Sequence, residues 1–269
     1  MTNHAADIRP LRHREAAGIA HTEYRRLLAV LEDLSGEDWE QPTYCADWNV
    51  KHMTAHLAGG VTGSRSLSDF LHQSIRNPYL RTADQTVDGI NRLQVEERAG
   101  RTPAELVDEF RRVGPVAVKN RQRLPWLVRQ LPMPLGPGWV KTVGYLMDII
   151  YPRDQWMHRY DICAATGREM VVTTEHDGRI LELVLLDISR KLRRELKNRR
   201  VDLQVTGRIG GEYRFGSRKE PTARVDMDVF DLHLLASGRI SVSHALEEAE
   251  TSGNRDTALW FMANLDVVY

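Results

Sequence analysis

Three side chains in one short segment have the types and spacing of a metal-binding or acid–base site. Asp154 and His158 are four residues apart, so on a helix they share one face, and Asp161 follows three residues later on that face. The same face carries apolar residues, and burying unpaired polar groups there is costly. Neutral imidazole and carboxylate are suitable ligands for zinc or a similar divalent cation. The alternative is structural, with His158 only hydrogen-bonded to Asp154 or Asp161.

A third ligand has to come from another helix, and His52 and His56 both lie on the second predicted helix. At about 100° per residue, His56 borders the apolar stripe of that helix, whereas His52 points towards solvent. His56 is therefore the better candidate ligand, although a structural role is the alternative for a single histidine there. Asp161 is then expected to orient His158 or to balance its charge.

These side chains need a helical scaffold, and the first half of the chain has the pattern for one. Apolar residues recur at three- and four-residue steps in four or five segments, the second of them with Asp47 as its expected N-cap. We predict an all-α bundle over residues 16–168, preceded by a flexible lead-in over residues 1–15. Pro152 is expected to kink or restart the helix that carries the first two site residues.

The pattern changes in the second half. Three runs around Val201, Tyr213 and Val225 alternate between apolar and polar residues and are separated by turn residues. Such runs predict an antiparallel meander. We therefore expect a small α+β domain over residues 176–269, so that the fold class is α+β, a helical bundle followed by a domain with an antiparallel sheet.

Composition excludes several classes of function. Lys+Arg and Asp+Glu are both 37 in the 269 residues, so the formal net charge is zero, and neither a nucleic-acid nor an anionic-membrane partner is expected. Two cysteines make no disulfide framework and fit a reducing compartment. We recognise no signal peptide and no run of roughly 18 apolar residues. The sequence predicts a soluble, cytoplasmic monomer or homodimer.

Cys45 is a rival candidate, as a protein nucleophile, because it lies just before the predicted start of a helix. No base is spaced to serve it, so a structural cysteine is the favoured interpretation. Cys163 is assigned to the core, and Trp48 and Trp156 to packing.

Several stretches resemble one known family. Asp47 to Gly59 and Arg153 to Ile162 resemble the two metal-ligand segments of DinB-like helical bundles, and more narrowly those of the mycothiol-dependent maleylpyruvate isomerase family. Val87 to Asn91 and Arg101 to Leu106 are similar to the region between them. Leu234 to Arg239 resembles part of the sterol-carrier-like domain that follows the bundle in this family. The resemblance covers most of the chain.

The resemblance implies a function as well as a fold. It implies that His56, Asp154 and His158 bind a metal, although the family pattern has Glu where this chain has Asp154. It also implies mycothiol, a low-molecular-weight thiol held as a thiolate by zinc or another divalent metal. Attack on a small electrophilic substrate then gives isomerisation or S-transfer. Arg239 matches a family arginine that faces the bundle, which predicts a catalytic role in binding a substrate carboxylate; a surface arginine at a helix end is the alternative.

Two other classes of function stay open. One is a non-catalytic metal- or small-ligand-binding protein of the DinB-like superfamily. The other is a helper module in a biosynthetic pathway, whose C-terminal domain binds a partner. Thiol-dependent turnover would separate an enzyme from both.

Overall fold

The computed structural model describes residues 3–136, 139–217 and 219–269, which form two compact units. Residues 12–170 make one unit, which is helical apart from one short pair of strands. The other unit combines the N-terminal residues up to Leu11 with Val171–Tyr269, and it is a mixture of helices and a sheet. The predicted α+β class is confirmed.

The elements are numbered in chain order. The helices are α1 (His13–Asp33), α2 (Val50–Gly63), α3 (Leu67–Ser74), α4 (Thr86–Glu96), α5 (Pro103–Arg123), α6 (Trp126–Arg129), α7 (Val143–Tyr145), α8 (Tyr151–Ala165), α9 (Arg179–Lys191), α10 (Val229–Ala236), α11 (Val242–Glu248) and α12 (Arg255–Met262). The strands are β1 (Asn3–His4), β2 (Pro132–Gly136), β3 (Trp139–Thr142), β4 (Arg200–Thr206), β5 (Gly211–Gly216), β6 (Ala223–Asp228) and β7 (Glu250–Gly253). No helix among the described residues is both long and apolar enough to cross a bilayer.

The helical unit is held together by the apolar stripes of α1, α2, α5 and α8. Residues at three- and four-residue steps bring these stripes into one buried cluster, whose members include Tyr24, Leu27, Leu31, Val50, Met53, Leu57, Phe110, Ala117 and Ile162. Helices α1 and α5 approach closely at Gly114, where a Cβ atom would lie 2.0 Å from Cε2 of Tyr24. Glycine is therefore required there by packing.

Helix α2 begins two residues later than the prediction. Its N-cap is Asn49 rather than Asp47, because the Asn49 side chain accepts a hydrogen bond of 2.9 Å from the His52 backbone N–H. The helix continues without interruption through both internal glycines to Gly63. A Cβ atom on Gly59 would lie 2.4 Å from Cβ of Gln94, so the glycine lets α4 pack directly against α2.

Helix α8 is preceded by an irregular helical segment. After α7, a π-helical turn spans Leu146–Ile150, and α8 then starts at Tyr151 with Pro152 in its first turn. Proline lacks the N–H that would bond to a carbonyl one turn earlier, and helices are commonly irregular beside it. The backbone stays helical from Tyr145 to Tyr151, so the structure shows a π-turn before Pro152 rather than a fresh start there. π-Turns are often found next to functional sites.

The sheet of the C-terminal unit has the order β1-β5-β4-β6-β7. Strand β4 pairs antiparallel with β5 but parallel with β6, so the sheet is mixed and the predicted antiparallel meander is wrong. Alternation identifies which side chains share a face, and Val201, Leu203 and Val205 are indeed buried. Alternation does not show which strands pair with each other. A meander would place β6 next to β5, whereas in the structure β6 pairs with β4.

The N-terminal residues are part of this sheet rather than a flexible lead-in. Strand β1 pairs in parallel with β5, with Asn3 opposite Tyr213. Ala5 is fully buried, and the His4 ring Nε2 lies 3.0 Å from the Gly216 carbonyl oxygen. The open edge of β5 offers backbone hydrogen bonds to any extended segment, and a short polar segment that uses them has no apolar pattern to reveal it.

Candidate metal centre

Helix α2 presents His56 on its buried face. The Asn49 cap fixes the first turn, and Met53 and Leu57 from the same face are almost fully buried in the core. His56 is 5% exposed, whereas His52 is exposed to solvent. The structure therefore places the inward-pointing histidine where the position of the apolar stripe predicts it.

Helix α8 supplies the other candidate ligands and is buried around most of its surface. Its rotation is fixed by Arg159, whose Nε donates to Oε1 of Glu23 on α1 at 2.7 Å in a buried ion pair. Paired nitrogens and oxygens in such a contact set orientation as well as energy. With Arg159 held against α1, Asp154 and His158 face α2.

The three predicted ligands converge. Nε2 of His56 lies 3.6 Å from Oδ1 of Asp154, and Nε2 of His158 lies 3.3 Å from the same oxygen. The two imidazole rings are 5.0 Å apart between centroids and nearly perpendicular. One donor atom from each of the three residues lies within 4.8 Å of the other two. Two helices that are distant in sequence thus bring two imidazoles and one carboxylate into a single cluster.

Asp161 lies behind His158 as the predicted orienting residue. Its Oδ2 is 3.0 Å from Nδ1 of His158, and its carboxylate is fully buried. When Nδ1 carries the proton and donates to Asp161, the lone pair of Nε2 is directed at Asp154 and His56. A carboxylate on the far nitrogen is the usual way in which a metal-binding histidine is held in one tautomer.

The charges of this cluster stabilise one another. Burial alone would raise the pKa of Asp154, but the two imidazoles hold it well below its ordinary value. Burial also opposes the charge on His158, yet the carboxylates of Asp154 and Asp161 raise the pKa of this histidine to about 9. Without a metal, the two carboxylates therefore favour the protonated form of His158.

The donor set fits a tetrahedral divalent cation. Metal–ligand bonds of about 2.0–2.2 Å imply donor–donor separations of about 3.3–3.6 Å in a tetrahedron. The two separations that involve Asp154 are 3.3 and 3.6 Å. His56 gives the second indication, because its Nε2 is directed at the cluster and lies beyond hydrogen-bond distance of Asp154. Its other ring nitrogen, the buried Nδ1, has no hydrogen-bond partner among the described residues, so this ring lacks the orienting partner that Asp161 gives to His158.

Two residues of the loop before α2 border the cluster. The Trp48 ring centroid lies 5.1 Å from that of His56 and 6.2 Å from that of His158. Cys45 forms a second group of possible ligands with His158 and Asp161, again with donor atoms within 4.8 Å of one another. The sequence interpretation assigned both to structure and could not show that the loop folds onto the site.

Arg239 and Cys163 belong to different units of the chain. Arg239 belongs to the C-terminal unit, where its backbone N–H donates to the Leu234 carbonyl and ends α10, whereas the three candidate ligands belong to the helical unit. Its role towards substrate stays a prediction. Cys163 is buried, and burial raises the pKa of its thiol, as expected for a core cysteine.

Fold and site together define a helical bundle that carries a two-histidine, one-carboxylate cluster, joined to an α+β unit. The sequence profile of the family described as "Mycothiol maleylpyruvate isomerase N-terminal domain" matches residues 20–163. Because the match spans more than half of the chain, the chain belongs to this family.

Two solved structures are similar over nearly the whole chain. One is the mycothiol-dependent maleylpyruvate isomerase, at 14% sequence identity, and the other is a histidine-to-alanine variant of such an enzyme, at 13%. Each has a TM-score of 0.59, and each alignment covers 94% of this chain and 96% of the other. At this identity the likeness concerns the fold. No curated protein matches the chain significantly.

Proposed function

We propose that this protein is a metal-dependent, mycothiol-dependent isomerase of a small electrophilic substrate. The convergence of His56, Asp154 and His158 carries the proposal, because it brings three suitable ligands for a divalent cation from two helices to within 4.8 Å of one another. Family membership and the fold of the mycothiol-dependent maleylpyruvate isomerase support isomerisation over S-transfer. We also propose a cytoplasmic location, which fits two free cysteines.

The chain's own residues would prepare the site. His56, Asp154 and His158 would hold zinc or another divalent cation and leave one tetrahedral position open. A cation bound there would lower the pKa of a thiol in the open position, so that thiolate is present at neutral pH. A thiolate held there would supply the nucleophile for reversible addition to an activated carbon–carbon double bond, which is the chemistry that cis–trans isomerisation of such a bond requires.

Other residues control orientation and access. With Nδ1 of His158 donating to Asp161, Nε2 would be free of a proton and available to a cation. The indole of Trp48 covers one side of His56 and excludes water there. The side chain of Asp154 is 25% exposed while those of the two histidines are 7% exposed, so thiol and substrate would approach from the side of Asp154.

The test compares the parent with His56→Ala and with His52→Ala, a control on the same helix whose side chain is exposed. Zinc affinity and the mycothiol-dependent isomerisation of maleylpyruvate are measured for all three proteins. We expect zinc binding and turnover to be lost in His56→Ala and kept in His52→Ala. Equal zinc binding by the parent and His56→Ala would contradict the ligand assignment. Zinc binding by the parent without any thiol-dependent turnover would favour a non-catalytic binding protein.

A further inference from the structure

A buried arginine lies beside the candidate metal centre. Arg121, near the end of α5, is 4% exposed. Its Nε donates to the Ser64 hydroxyl at 2.8 Å, and its Nη2 donates to the Gly60 carbonyl at 3.1 Å. Its remaining nitrogen, Nη1, has no hydrogen-bond partner in the part of the chain that the structure describes.

Arg121 differs from two other buried arginines of the helical unit. Arg98 is paired with Glu109 at 2.7 Å, and Arg159 is paired with Glu23 at 2.7 Å. Among the described residues, Arg121 has no carboxylate within ion-pair distance. A buried guanidinium without a counter-ion is costly, so the site favours the arrival of an anion.

The guanidinium lies on the face of α8 that carries the metal ligands. Its central carbon is 3.6 Å from the centroid of the Tyr151 ring. Tyr151 and Asp154 are three residues apart on α8 and therefore share a face. Burial lowers the pKa of Arg121, and the nearby Tyr151 and Asp154 oppose this only in part. The Tyr151 hydroxyl has no hydrogen-bond partner among the described residues and is available as a donor.

Charge balance makes this arginine important when a metal is present. Asp154 and Asp161 would together neutralise one divalent cation held at the cluster. The positive charge of Arg121 would then be left without a buried carboxylate to balance it. A ligand that brings its own negative charge would complete the site.

We propose that Arg121 and the Tyr151 hydroxyl form an anion-binding subsite that holds a carboxylate group of the substrate beside Asp154. The proposal rests on the proposed function for the identity of the ligand as substrate, but not for the binding of the anion itself. A guanidinium offers two parallel N–H donors to a carboxylate, and Nη1 is the donor left unused by Gly60 and Ser64.

The test measures binding of succinate to the full-length protein by isothermal titration calorimetry, with and without zinc. Succinamide serves as the neutral isostere, and inorganic phosphate as the competing anion. The variants are Arg121→Met, Arg121→Lys and Tyr151→Phe. Arg65→Met is the matched control, because Arg65 is an exposed cation beside Ser64 that is paired with Asp69. Melting temperature and zinc stoichiometry report whether each variant is folded.

We expect Arg121→Met to weaken succinate binding about 10- to 100-fold, as for loss of a hydrogen-bonded charge. Tyr151→Phe should weaken it about fivefold, Arg121→Lys should fall between them, and Arg65→Met should bind as the parent does. Succinate binding within twofold of the parent in folded Arg121→Lys and Arg121→Met would overturn the proposal. Tighter binding of phosphate than of succinate would overturn the carboxylate assignment. Failure of the parent to bind zinc, with Arg121-dependent succinate binding retained, would refute the metal proposal alone.

Discussion

Replacing Asp161 by Asn tests how the site holds His158. The Asp161 carboxylate is fully buried and lies 3.0 Å from Nδ1 of His158. A hydrogen bond to a charged group contributes about 1.5–3 kcal/mol, and a neutral one about 0.5–1.5 kcal/mol. Asparagine keeps the shape and an acceptor oxygen but not the charge, so Asp161→Asn should lose about 1–1.5 kcal/mol of zinc binding. Because 1.4 kcal/mol corresponds to tenfold, the expected loss of affinity is about five- to twelvefold.

Two further variants set the scale for this measurement. Asp161→Ala removes the acceptor altogether and should lower zinc affinity about 10- to 100-fold. His56→Ala removes one of three ligands and should lower it more than either change at Asp161. Asp202→Asn is the control. Asp202 is a buried acid that pairs with Arg200, and it belongs to the C-terminal unit rather than to the unit that carries the candidate ligands.

Zinc affinity is measured by competition with a chromophoric chelator at pH 7 for the parent and all four variants. The reasoning predicts the order parent and Asp202→Asn, then Asp161→Asn, then Asp161→Ala, then His56→Ala, from tightest to weakest. Unchanged affinity in Asp161→Asn and Asp161→Ala would show that this carboxylate does not orient a ligand. A loss in Asp161→Asn equal to that in His56→Ala would make Asp161 a ligand itself.

Two more predictions concern the scaffold. Burial raises the pKa of Glu109, but hydrogen bonds to Arg98 and Thr62 outweigh burial and hold this pKa below its ordinary value of 4.5. The ionised Glu109 therefore stabilises the fold above pH 4.5, and this stabilisation is lost as the pH falls through the lowered pKa. In urea denaturation, Glu109→Gln should therefore be about 3–5 kcal/mol less stable than the parent at pH 7. Between pH 5 and 3 the variant should lose less stability than the parent does. Parallel curves of stability against pH for the two proteins would contradict this. Gly114→Ala should destabilise the bundle by about 1–3 kcal/mol or more, because the new Cβ atom clashes with the Tyr24 ring. Gly18→Ala is the control, since a Cβ atom there meets open space, and thermal denaturation should show it to be neutral or stabilising. Equal melting temperatures for the two alanine variants would show that α1 and α5 adjust without cost.

Local periodicity was sufficient to predict the helices that carry the site. The four-residue spacing of Asp154 and His158 fixes their common face whatever else the chain does. The apolar stripe of α2 likewise selects His56 over His52, because burial follows the same 3.6-residue repeat. Resemblance to a family then connected the two helices, which periodicity alone could not do.

Features that depend on contacts between distant segments were not predictable in this way. The parallel pairing of β4 with β6 and the N-terminal strand β1 depend on which sheet edge is open. The position of Arg121 depends on how the end of α5 meets Tyr151 at the start of α8, and in sequence it is one of several arginines at the end of a helix. The Asn49 cap was missed because Asp47 is an equally good capping residue two positions earlier.

The most direct measurement is an anomalous-diffraction map of the full-length protein crystallised with zinc. The account predicts one strong zinc peak about 2.0–2.2 Å from Nε2 of His56, a carboxylate oxygen of Asp154 and Nε2 of His158. Cys45 belongs to a second group of possible ligands, which also includes His158, and it should not contact the ion. A peak on Cys45, His158 and Asp161 instead, or no peak within reach of His56, would contradict the central claim.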